Sequence, residues 1–136
     1  MFLPYKRYAD FTGRSRRMEY WMFQLFYSLV LTVLFIGLIA STGPYYDAAG
    51  EAGSGAGIAI FGILLGVFVL GSFIPQLAVE VRRFHDQDLS GWLVLIGFIP
   101  YLGVVVILVM MCIKGTRGDN QYGPDPLGAT PADVFA

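Results

Sequence analysis

Three long apolar runs limit what this chain can fold into. They extend from about Trp21 to Ser41, from about Ile58 to Val79 and from about Trp92 to Ile113. The hydrocarbon core of a bilayer is roughly 30 Å thick, which takes about 20 helical residues at about 1.5 Å each. Each run meets that length. A helix in a soluble core would carry a polar face at the helical period, whereas these runs are apolar all round. Charged residues make up 14% of the chain and hydrophobic ones 56%, against about 25% charged in soluble domains. The expected fold class is therefore an all-α integral membrane protein with three transmembrane helices. The first run is longer than the roughly 7–15 residues of a signal-peptide core, so it reads as a retained anchor.

Basic residues orient the spans. Lys6, Arg7, Arg14, Arg16 and Arg17 precede the first, and Arg82 and Arg83 lie between the second and third. The stretch between the first two spans, "TGPYYDAAGEAGSGAG", has Asp47 and Glu51 and no Lys or Arg. Positive charge stays on the cytoplasmic side, so the N-terminus and the loop from Arg82 to Ser90 are expected there. The tail has two readings. Three complete spans put Lys114 and Arg117 outside, against the charge rule. A third segment kinked or re-entrant at Pro100 returns them to the cytoplasm, but each half is then too short to cross alone.

At the N-terminus, Phe2, Tyr5 and Tyr8 recur every third residue. Pro4 and Gly13 are suited to open and close a helix, giving a short interfacial helix on the headgroups; the alternative is a frayed aromatic leader. Residues 1–126 form one polytopic domain in this reading, and 127–136 a disordered tail. Cys112 is the only cysteine, so no internal disulfide forms.

Polar chemistry is confined to three phrases. In "GRSRRMEYW", Arg14, Arg16 and Arg17 precede an interfacial Tyr20–Trp21 pair, and Glu19 needs a cation, either Arg16 three residues back or Arg82 or Arg83 from the other loop. In "RRFHDQDLSGW", Asp88 or Ser90 is placed to cap the following helix. His85 beside Asp86 invites a general-base reading, but neighbours on a helix diverge by about 100°. No nucleophile or metal-ligand spacing accompanies them, so no catalytic, metal or cofactor residue is assigned. In "KGTRGDNQYGPDP", Gly115, Gly118, Asn120, Gly123, Asp125 and Pro126 read as an ordered loop. Gly62 and Gly66 form a small-xxx-small pair for helix packing, within the chain or with a second copy. No ionisable residue lies mid-span, which argues against an ion-coupled transporter.

Taken together, "FTGRSRRMEYW", "RRFHDQDLSGW" and "GTRGDNQYGPDP" resemble the small bacterial inner-membrane proteins catalogued as domain of unknown function 805. The similarity covers about Phe11 to Pro126. Members often have leucine where Phe84 stands and a second tryptophan where Leu93 stands. The resemblance implies a bacterial inner-membrane location and no particular activity.

The residues themselves favour a non-enzymatic membrane component. Arg14, Arg16, Arg17, Arg82 and Arg83 would face anionic lipid headgroups or a membrane-protein partner, with Glu19, His85 and Asp86 shaping that face. A net charge of −1 gives no reason to expect nucleic acid. The alternatives are a subunit of a small oligomeric channel or transporter meeting its copies at Gly62 and Gly66, and an enzyme acting on lipid headgroups through His85 and Asp86.

Overall fold

The computed structural model describes residues 3–41 and 55–128. The acidic loop between the first two spans, Phe2 and most of the tail lie outside the described residues. Within them the regular structure is helical, apart from an isolated bridge between Asn120 and Gly123, and residues 7–16 and 113–128 form irregular segments.

Helix α1 is a single turn, Leu3–Lys6, and ends well before Gly13. Helix α2 runs over Arg17–Ser41 and α3 over Ala56–Asp86. Both are long and apolar enough to cross a membrane. Lipid offers no hydrogen-bonding partners, so a spanning helix must satisfy its own polar groups. The hydroxyls of α2 do so: Ser28, Thr32 and Ser41 donate to the carbonyls of Leu25, Ser28 and Leu38 at 3.0, 2.7 and 2.7 Å. Large side chains such as Leu29, Ile36, Val67 and Leu70 stay more than half exposed, as lipid-facing residues should. The 31 residues of α3 measure about 46 Å. That exceeds the hydrocarbon thickness, so its last two turns carry Glu80 to Asp86 past the apolar stretch.

The chain divides into two compact units. In the one formed by Gln24–Phe73, Tyr27 and Phe68 stack with ring centroids 5.3 Å apart. A methyl group at Gly37 would overlap the Phe61 ring. Close helix approach is therefore made at Gly37. Of the two readings of Gly62 and Gly66, packing within the chain is not made among the described residues: both glycines face open space.

The other unit, Met1–Phe23 with Ile74–Ala136, is built on Tyr20, Phe23, Val79, Phe84, Ile107 and Met111. Tyr5 packs on Phe23 at 5.4 Å. Its third apolar run is two pieces rather than one continuous helix. Ser90 caps a 3-10 helix over Gly91–Phe98. Pro100 has no N–H and forces the residue before it into extended backbone, as seen at Ile99 with φ −79 and ψ 115. Tyr101 then takes φ 62, and α4 follows over Leu102–Cys112. The two pieces pack on each other: a methyl group at Gly103 would overlap the Ile96 carbonyl. Each piece spans about 16 Å, roughly half the hydrocarbon thickness.

Candidate functional site: a buried arginine–carboxylate knot with an exposed cationic rim

The end of α3 fixes the centre of the site. Asp86 lies in its last turn and receives Arg14 Nε at 3.0 Å on one carboxylate oxygen and Arg83 Nη1 on the other. Its backbone carbonyl accepts from Thr116 N at 2.8 Å and Thr116 Oγ1 at 3.1 Å. Arg14 also donates to the carbonyls of Gly118 and Thr116, each at 2.6 Å. Arg83 donates to the Ile113 carbonyl. One carboxylate thus ties together the segment before α2, the end of α3 and the segment after α4. The side chains of Arg14 and Arg83 are 1% and 0% exposed, a depth at which unpaired guanidinium would be costly.

A second knot lies beside it. Arg82, also fully buried, donates to the Asp10 carbonyl at 2.7 Å and to Glu19 at 3.2 Å. Its own carbonyl accepts from Ser15 N at 3.1 Å. Glu19 therefore pairs with Arg82 rather than with Arg16. Glu80 accepts from Gln76 at 2.7 Å instead of meeting Arg83. The Asp10 carboxyl bonds with the Thr12 hydroxyl and amide and with Arg7, which together hold it well below the usual carboxylate range.

The segment after α4 is ordered by its own side chains. Asn120 Nδ2 reaches the His85 carbonyl at 2.8 Å, and Asn120 Oδ1 caps Tyr122 N at 2.9 Å. Asp125 accepts from Gly118 N at 2.9 Å and Leu127 N at 2.8 Å. The amides of Leu127 and then Gly118 lower its pKa. Gly118 and Gly123 adopt positive φ, 79 and 137. Gly115 serves close approach rather than a turn, because a methyl group there would overlap the Asp86 carboxylate. His85 stacks flat on Tyr122, centroids 3.9 Å apart at 5°. Asp86 is engaged by two arginines, so the two neighbours form no acid–base dyad.

The expected basic face is thus divided. Arg14, Arg82 and Arg83 are buried and hold the fold together, which corrects their assignment to an exposed lipid-facing surface. Arg16 and Arg17 remain exposed. They line a hollow of about 260 Å³ with Lys114, Arg117, Asp86 and Asp125, against which Pro126 also packs. Sequence reasoning missed the parts played by Thr116, the Asp10 carbonyl, Lys114 and Arg117. It also missed Gln87, which donates to the Met110 carbonyl at 2.6 Å. The excess of positive charge at Lys114 and Arg117 was the available signal, since it fits a segment that turns back.

Comparison with known proteins adds a consistent picture. A family model described as protein of unknown function (DUF805) matches residues 8–124. The chain is 40% identical over 121 residues to inner membrane protein YhaH of Escherichia coli strain K12, covering 89% of this chain and 90% of that protein. It is 38% identical over 123 residues to inner membrane protein YhaI of the same strain, covering 89% of each. No solved structure matches it.

Proposed function

The chain belongs to the DUF805 family of inner-membrane proteins, and from that premise we propose that it is a non-catalytic membrane component that presents a cytoplasmic cationic rim to an anionic membrane constituent. In this reading α2 and α3 span the bilayer with the N-terminus inside. The pair of pieces over residues 91–112 dips into the cytoplasmic leaflet and returns. The observation that carries this is the bonding of Asp86 to both Arg14 and Thr116. It supports a common side for the residues before α2, after α3 and after α4. Positive charge at Arg16, Arg17, Lys114 and Arg117 then obeys the cytoplasmic bias.

A reporter fused after Ala136 tests the topology. A fluorescent cytoplasmic fusion with no periplasmic phosphatase activity is expected, and an active phosphatase fusion overturns it. Lipid carried through mild purification tests the binding role. Enrichment of anionic over zwitterionic phospholipid is expected, and equal carriage overturns it.

A second reading has one favourable observation. Gly62 and Gly66 leave their face of α3 open, which suits a second copy in a small oligomer. Cysteine cross-linking at Gly62 in native membranes would capture a dimer in that case, and a monomer in nanodiscs would remove the reading.

A further inference from the structure

We propose that the hollow between Arg16, Arg17, Lys114 and Arg117 is a seat for the phosphate of one anionic glycerophospholipid, whose glycerol and acyl portion lies in the adjoining groove. This rests on the cytoplasmic cationic rim proposed above and names its occupant. Among the described residues, none of these four cations has a carboxylate partner, although Arg14, Arg82 and Arg83 nearby are each paired with one; Arg17 makes one long bond, to the Cys112 carbonyl at 3.4 Å. Like charges gathered around one cavity repel unless an anion lies between them. The two carboxylates at its edge are already engaged: Asp86 by Arg14 and Arg83, Asp125 by the amides of Gly118 and Leu127. Arg16 and Arg17 also stand at the start of α2, where the helix dipole disfavours cations and favours anions. Their placement works against local stability and suits a bound negative charge.

The shape selects a lipid over a free phosphate. Arg16, Arg17 and Leu127 line both the polar hollow and a second groove of about 600 Å³, whose remaining walls are Met18, Trp21 and Cys112. Met18 is 75% exposed and Trp21 39%, so the polar hollow continues into an apolar wall at the start of a spanning helix. Tryptophan prefers that interfacial depth. A molecule with phosphate at one end and hydrocarbon at the other matches both parts.

The test uses the full chain in nanodiscs of phosphatidylcholine with one-fifth phosphatidylglycerol, about 20%. Trp92→Phe leaves Trp21 as the reporting indole. Phosphatidylglycerol brominated on its acyl chains is expected to quench Trp21 more strongly than brominated phosphatidylcholine at the same fraction. Arg16→Gln with Arg17→Gln should weaken the phosphatidylglycerol preference about 30-fold, two cations at about 1 kcal/mol each. Lys114→Gln with Arg117→Gln should do the same without touching α2. Lys6→Gln, an exposed cation outside the hollow, should leave the Trp21 quenching difference unchanged. Soluble glycerol phosphate should fail to displace the lipid.

Equal quenching by the two brominated lipids overturns the seat. So does a preference that survives in both double variants with their thermal unfolding unchanged, or displacement by glycerol phosphate. If wild-type protein carries no anionic lipid at all, the broader reading falls with it. If that carriage persists while the Trp21 difference vanishes, only the seat falls.

Discussion

Asp86→Asn is the most informative single change. Asparagine keeps the shape and leaves the backbone bonds to Thr116 in place. It removes the one negative charge shared by Arg14 and Arg83, whose side chains are 1% and 0% exposed. It also turns an amide N–H₂ toward one of the two guanidinium groups. Removing one partner of a buried ion pair costs about 3–5 kcal/mol. Stability of a whole domain is about 5–15 kcal/mol, so the cost falls heavily on the clasp between α3 and the segment after α4. At about 1.4 kcal/mol per decade, the open population rises between about a hundredfold and a few thousandfold. Lys114 and Arg117 are exposed and lie on the clasped segment, so trypsin reads its opening directly. With reclosing faster than cleavage, the cleavage rate tracks that population. Wild-type protein in nanodiscs should be cut slowly after both residues, and the Asn variant at least about 100-fold faster. Adding Arg14→Gln should cost less than the sum of the two single changes, as for residues in one network. An Asn variant cut within about threefold of wild type would refute the idea that this carboxylate holds the segment.

Gly115→Ala should open the same clasp from the other side, by about 1–3 kcal/mol, because its methyl group overlaps the Asp86 carboxylate; trypsin sensitivity checks it. Glu19→Gln should be milder than Asp86→Asn, about 1.5–3 kcal/mol. Arg82 retains the Asp10 carbonyl at 2.7 Å, and equilibrium unfolding in mixed micelles measures the difference. Acid should loosen the turn around Asp125. Its folded pKa lies below the unfolded one, so the bonds from Gly118 and Leu127 are at full strength above the unfolded value of about 3.9. They are lost as pH falls through the lower folded value. Amide exchange at Gly118 and Leu127 should therefore keep its protection down to about pH 3.9 and lose it only in more acidic solution, and constant protection throughout would contradict the assignment.

The two spanning helices were legible because composition alone dictates them. An apolar run of spanning length has one stable form in lipid, and α3 keeps it even through Pro75. The sequence placed the second span at about 58–79, while α3 extends to Asp86. The polar phrase that follows contains nothing to stop a helix before Asp88, which takes φ 60. The third segment was not legible in the same way. Pro100 marked a break, but an uncharged run has no polar face to show whether its halves continue or return. The contacts that support a return join Arg83 to Ile113 and Asp86 to Thr116, each thirty residues apart in sequence. Local spacing likewise offered Arg16 to Glu19, and the fold chose Arg82, 63 positions away. Which arginines are consumed inside and which remain free is a property of packing, and no pattern of charges along the chain reveals it.

The clasp has a consequence for biogenesis. Arg14, Arg83 and Asp86 leave the ribosome before the apolar pieces over residues 91–112, whereas Thr116 and Gly118 leave after them. The clasp can therefore close only after the two pieces have been made, and nascent chains stopped before Thr116 would hold those two arginines and one carboxylate with part of their bonding unmade. The polar phrase after α4 is the latch on a clasp whose other parts are synthesised before it.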